Sequence, residues 1–126
     1  MTLADALETH ERICGVTDDD PAVLMPEQLA GALARPYNGY FTELWQKAAA
    51  LMESLAGSQI FLTANKRTAI ALVNLLVTES GYELHPLDDE QITKAIEELS
   101  KAVGRGDMKL EALNKWYQLR LRRFAG

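Results

Sequence analysis

The chain has a single cysteine, Cys14, in 126 residues, which excludes an internal disulfide framework and fits a reducing cytoplasm. Long apolar runs are missing as well. The longest falls far short of the roughly 20 residues that cross a bilayer as a helix, and no leader-like segment is visible. The expectation is a cytoplasmic protein with no membrane partner. Excess positive charge is also lacking, since 13 basic residues stand against 18 acidic ones for a formal net charge of −5. A general nucleic-acid binder needs a basic footprint for phosphate contacts, so no nucleic-acid partner is expected. Only Arg120, Arg122 and Arg123 gather positive charge, and they suit a solvated face or the C-terminal pole of a helix.

Metal-ligand spacing is absent too. His10 and His85 are isolated and read as helix-face or loop histidines. Cys14 has no activating base beside it in sequence and reads as a small buried side chain. Asp18-Asp19-Asp20 lacks the spaced ligands and the glycine of a calcium loop, so it reads as a polar turn. Glu79, Glu83, Asp88 and Asp89 are too dispersed for paired-carboxylate catalysis.

What the chain does have is helical hydrophobic period, and almost nothing alternates with period two. The spacing predicts a first helix over residues 2–14 with Leu3, Leu7 and Ile13 inward, stopped by Gly15. Pro26 suits the first position of a second helix reaching about Ala34. Arg35 to Phe41 then carries Asn38-Gly39 between aromatic neighbours, the chemistry of a tight hairpin turn. A third helix over Glu43–Gly57 presents Leu44, Trp45, Ala48, Leu51, Met52 and Leu55 on one stripe. Residues 65–80 are apolar nearly all round, with Leu72, Val73, Leu75, Leu76 and Val77, which predicts a central helix ended by Gly81. Asp88 with Gln91 resembles a capping box for a helix carrying Ile92, Ile96, Leu99 and Val103, ended by Gly104. A last helix is expected from about Asp107, with Leu110, Leu113, Tyr117, Leu121 and Phe124 inward. At this length the chain makes one domain, 1–126, with a core of its own. The predicted fold class is all-α, about six helices around a buried central one, with a small hairpin at residues 35–41.

The charges at the start of the fourth helix carry the functional signal. Lys66 and Arg67 follow Ala64-Asn65 on the first turn, where the helix dipole is already positive and each cation costs about 0.3–1 kcal/mol unless an anion answers it. A bound phosphate would reverse that sign, because free amides, dipole and basic side chains would converge on one ligand. A solvated basic turn is the alternative.

The same residues carry a resemblance. The run Gln59-Ile60-Phe61-Leu62-Thr63-Ala64-Asn65-Lys66-Arg67-Thr68 is similar to the signature of the Fic/Doc family, His-x-Phe-x-(Asp/Glu)-(Gly/Ala)-Asn. Lysine-arginine-threonine after the asparagine matches the death-on-curing (Doc) toxin branch. Two positions depart: Gln59 stands where the family has histidine, and Thr63 where it has an acidic residue. The likeness extends over about residues 8–84, through Leu29-Ala30-Gly31-Ala32-Leu33-Ala34-Arg35-Pro36, Lys47 to Leu55, and Ser80-Gly81-Tyr82-Glu83-Leu84.

That resemblance implies an ATP site with Mg²⁺. In such a site Thr63, Ala64, Asn65, Lys66 and Arg67 would cradle phosphate, and Gln59, Lys66 and Arg67 would stand at the catalytic positions. Tyr37, Asn38, Gly39 and Tyr40 would form a flap that aligns a target segment. It implies a toxin paired with a small antitoxin and phosphoryl transfer to a translation factor such as elongation factor Tu. Gln59 cannot accept a proton near neutral pH, a loss of roughly 10²–10⁴ in rate. Thr63 is a poor substitute for a carboxylate as a ligand to a hard cation, so it is at most a weak metal ligand. Gln59 alone would fit deliberate inactivation, whereas Gln59 and Thr63 together fit natural divergence. The alternatives are a non-catalytic module binding nucleotide, antitoxin or target, and an AMP-transferring Fic enzyme, which Lys66 disfavours.

Overall fold

A run of alanines decides which helix takes the middle. The computed structural model describes residues 1–84, 89–106 and 108–123. Its six helices are α1 (Leu3–Thr17), α2 (Pro26–Ala34), α3 (Leu44–Ala56), α4 (Asn65–Glu79), α5 (Asp89–Gly104) and α6 (Leu110–Arg120), with a 3-10 turn at Arg35–Tyr37. The all-α class expected from the hydrophobic period is what the chain adopts. Ala48, Ala49, Ala50, Leu51 and Met52 of α3 are wholly buried, and α2, α4, α5 and α6 all pack on that helix. Small side chains permit this enclosure, because helix separation depends on the residues at the contact.

The helix expected at the centre from residues 65–80, α4, is packed by α1, α3 and α5, and α3 is enclosed more completely still. Helix α4 buries Leu72, Val73, Leu76 and Val77 but leaves Asn74 and Thr78 exposed along one edge. Bulky apolar residues dominate a hydrophobicity pattern, yet enclosure on several sides favours small ones. The core is completed by Ala6 of α1, Leu29 and Leu33 of α2, Ile60 and Phe61 before α4, and residues of α5 and α6 that include Ile96, Leu99, Leu113 and Tyr117.

Helix α1 departs in phase and in length. Its buried stripe is Ala6, His10 and Cys14, while Leu3 is exposed and Leu7 and Ile13 are only half-buried. Thr2 caps the start by accepting from the Asp5 amide at 3.1 Å. Gly15 does not stop the helix. Asp18 adopts the left-handed conformation (φ 56°) that ends it instead, a role aspartate can take in place of glycine.

Helix α6 starts at Leu110, three residues beyond the expected Asp107, and Leu121 leaves it as strand. The strands β1 (Tyr82–Leu84) and β2 (Leu121–Arg123) pair antiparallel, with Glu83 opposite Arg122. Arg122 donates to Glu83 at 2.7 Å, Arg123 to the Tyr82 hydroxyl at 3.3 Å, and the Arg120 guanidinium lies 4.4 Å from the Trp116 ring centre. These arginines are engaged within the fold. The hairpin expected at residues 35–41 does not form. Pro36 has no amide for a ladder, and Asn38 Oδ1 accepts the Tyr40 amide at 2.9 Å, which closes a side-chain turn with Gly39 at φ 90°. Among the described residues the antiparallel strand pair lies instead between the chain after α4 and the chain after α6. The expected Asp88–Gln91 cap, the side chain of Ile92, and His85, Asp107 and Phe124 lie outside what is described.

The enclosure of α3 makes Ala49→Leu a sharp test. Overpacking there should cost about 1–3 kcal/mol in urea unfolding, whereas Asn74→Ala on the open edge of α4 should stay within about 0.5 kcal/mol.

Candidate functional site

The segment that leads into α4 is held from two sides. On one side the chain before α2 pairs with it: the Ile60 carbonyl accepts the amides of Leu24 and Met25 at 2.8 and 3.0 Å, and the Leu62 amide donates to Ala22 at 3.1 Å. Val23 and Phe61 face each other as antiparallel bridge partners. On the other side Asn65 folds back onto the loop. Its Oδ1 accepts the Phe61 amide at 3.0 Å, and its Nδ2 donates to the Phe61 carbonyl at 2.9 Å. The Phe61 ring is buried and stacks on His10 with centroids 3.7 Å apart. His10 Nε2 lies 3.0 Å from the Thr63 carbonyl oxygen.

Ala64 then turns the chain in the left-handed conformation (φ 64°, ψ 26°), and α4 begins with no side-chain cap. Thr68 donates the first helical hydrogen bond, to Ala64 at 2.9 Å. The amides of Asn65, Lys66 and Arg67 precede it and have no helical acceptor. They point out of the positive pole of the helix.

Two cations belong to that first turn, and the Lys66 Cε lies near Gly104 at the end of α5. Lys66 is exposed. Arg67 is tied to Asp19 at 3.0 Å, and both side chains are partly open to solvent, so the pair is worth at most about 1 kcal/mol. Asp19 also accepts from Thr17 Oγ1 at 2.5 Å. The Thr17 hydroxyl and then the Arg67 guanidinium hold its carboxyl below the ordinary value of 3.8. The aspartate run does form a turn, with Asp20 Oδ1 accepting the Ala22 amide at 3.0 Å. It also delivers a counter-charge to the α4 N-terminus.

Residues 1–77 match the sequence model described as the Fic/DOC family. That span covers more than half of the chain, from α1 through the Phe61–Asn65 loop to the buried end of α4. The chain belongs to the Fic/DOC family. No curated protein matches it closely enough to stand as a relative.

Gln59 and Thr63, the two positions expected to depart from the signature, are now placed. Gln59 is exposed just before buried Ile60, and Thr63 is half-buried with its carbonyl engaged by His10. The donor set does not fit a hard divalent cation: position 63 offers a hydroxyl, Asp19 is committed to Arg67, and no group of three metal-ligating side chains occurs among the described residues. Phosphate does fit, because amides and lysine are what it binds.

The loop brings Gln59, Thr63, Ala64, Asn65, Lys66 and Arg67 together. Tyr37, the last residue of the 3-10 turn, and Asn38, Gly39 and Tyr40 after it form a separate exposed segment ahead of α3, and no hydrogen bond among the described residues joins it to the loop. A groove of about 560 Å³ touches that segment at Asn38 and is otherwise lined by residues such as Gln28, Ala32, Arg35 and Ser54. Arg35 offers no free charge there, since it is paired with Glu53 at 3.0 Å and donates to Ala50 and Ser54.

Sequence reasoning missed His10, Asp19 and the pairing of residues 22–25 with 60–62. The four-residue spacing of Ala6, His10 and Cys14 was the available signal for the first. Burial raises the pKa of the Cys14 thiol, which keeps it from acting as a nucleophile.

The Asp19 carboxyl titration, followed by carbon-13 NMR, should fall below 3.8 and rise in Thr17→Val and in Arg67→Ala. A carboxylate whose folded pKa is depressed stabilises the fold above its unfolded value and loses that contribution as pH falls through the folded value. The Asp19–Arg67 tie should therefore be intact at neutral pH and released only in acid.

Proposed function

We propose that this Fic/DOC protein is a Doc-type toxin of a toxin–antitoxin pair. It binds the phosphates of ATP at the start of α4 and acts slowly, if at all, as a phosphotransferase on a translation factor such as elongation factor Tu. The observation that supports this reading is the N-terminus of α4, which has no side-chain cap and carries Lys66 and Arg67 on its first turn. An exposed lysine at that pole is unfavourable until a phosphate arrives.

In this reading the roles are assigned from the chemistry of the residues. Asn65 holds the loop in shape, and Ala64 directs the amides. Lys66 supplies charge to the phosphates, and Arg67 joins it by leaving Asp19. Tyr37 to Tyr40 would align the backbone of the target beside the loop. In transfer, the target hydroxyl oxygen bonds to the γ-phosphorus while the bond from that phosphorus to the bridging oxygen breaks, releasing ADP. Gln59 can orient the hydroxyl by hydrogen bonding, but the proton must leave to water. Magnesium chemistry would need a carboxylate where Thr63 stands.

The second reading is a non-catalytic module that keeps the phosphate cradle for nucleotide, antitoxin or target binding. Gln59 and Thr63 are the residues that favour it. A reading frame for a small antitoxin beside this one would favour the toxin.

Calorimetry with ATP, with and without Mg²⁺, tests the cradle. Lys66→Ala should weaken binding by about 1.5–3 kcal/mol, Asp19→Asn should tighten it by freeing Arg67, and Mg²⁺ should add little; absence of binding by the parent chain would remove the cradle altogether. Transfer is assayed with γ-labelled and α-labelled ATP in parallel on purified elongation factor. Gln59→His combined with Thr63→Asp should recover more γ-label transfer than the two single changes together, because groups acting on one transition state are non-additive. A double variant as inert as the parent favours the binding module, and transfer of the α-label favours AMP transfer.

A further inference from the structure

His10 sits on α1, far from the loop in sequence, yet its imidazole is 1% exposed and lies against the loop by both its face and its edge. The face stacks on Phe61 at 3.7 Å and 14°. At the edge, Nε2 is 3.0 Å from the Thr63 carbonyl oxygen and 3.4 Å from Cys14 Sγ. A carbonyl oxygen only accepts, so Nε2 carries the hydrogen and donates it to Thr63. The thiol cannot then donate to that nitrogen, and its hydrogen is directed to the Asp20 carbonyl at 3.9 Å. Helix α1 thus donates to the loop at Thr63 and to the turn that carries Asp19.

We infer that His10 is a positioning residue for the α4 N-terminus, acting through the Thr63 carbonyl. That oxygen and the Ala64 amide belong to one rigid peptide plane. Holding the oxygen therefore holds the residue whose left-handed φ aims the amides of Asn65, Lys66 and Arg67. The hydrogen bond does this, and the stacked ring keeps it dry. The effect on nucleotide affinity rests on the phosphate site proposed above, whereas the effect on the loop does not.

Three variants separate donor from ring. His10→Gln keeps an N–H at the reach of Nε2, His10→Phe keeps a ring on Phe61 with no donor, and His10→Asn keeps a donor that is too short to reach. Amide nitrogen-15 spectra of the ligand-free proteins report residues 64–67, with the amides of α5 and α6 as the internal check on folding. The Phe and Asn variants should shift the resonances of Ala64 to Arg67 and leave α5 and α6 in place, while the Gln variant should stay close to the parent. ATP affinity by calorimetry should fall about tenfold in the Phe and Asn variants, the worth of one buried hydrogen bond, and recover in the Gln variant. Should the Phe variant fail to fold, the Gln and Asn pair still decides between reach and shape. Unmoved amides in both the Phe and Asn variants, or a Gln variant as perturbed as they are, would overturn the inference. If the parent binds no ATP but the amide pattern appears, the positioning role stands and the phosphate reading falls.

Discussion

The site depends on how Asn65 grips the backbone of Phe61. One amide side chain accepts from the N–H and donates to the C=O of the same residue, so the chain must loop back on itself before α4 can start. The left-handed turn at Ala64 that closes this loop costs about 1–2 kcal/mol for a residue with a Cβ. Two hydrogen bonds worth about 0.5–1.5 kcal/mol each offset that cost with little margin. The loop therefore also needs its outer supports, the 22–25 segment on one side and α1 on the other. With all of them in place, the first amides of α4 face outward.

Charge follows from the same turn. A helix that begins with an uncapped left-handed residue has no side chain of its own on its amides, and here it adds two cations to that pole. Asp19 answers one of them across the surface. Lys66 is exposed and has no ion pair among the described residues, and its Cε lies near Gly104 at the end of α5. In the reading proposed above, binding and chemistry part company at this point: backbone amides and lysine would hold phosphate, while transfer would need a base and a metal ligand where Gln59 and Thr63 stand.

Much of this was legible in the sequence. The bounds of α2 and the start of α4 followed from Pro26 and from Asn65 before an apolar run. The family could be read from Phe61, Ala64, Asn65, Lys66, Arg67 and Thr68 despite the two departures. Enclosure was harder to read, because Ala48 to Ala50 look unremarkable as hydrophobes yet line the centre. The phase of α1 was misjudged for a related reason: its inward stripe is Ala6, His10 and Cys14, and polarity hid the histidine. Long-range pairings, such as Val23 with Phe61 and Tyr82 with Arg123, leave no local pattern over two or three residues. Asn38-Gly39 carried true turn chemistry, but Pro36 and the Asn38 side chain directed it away from a ladder.

The central claim is that the α4 N-terminus is a preformed anion site. Its most direct test is an amide nitrogen-15 titration of the intact chain with ATP. The account predicts saturable shifts that are largest at Asn65, Lys66 and Arg67, with α5 unmoved. No shift at these three amides, or larger shifts at Arg120 to Arg123, would contradict it.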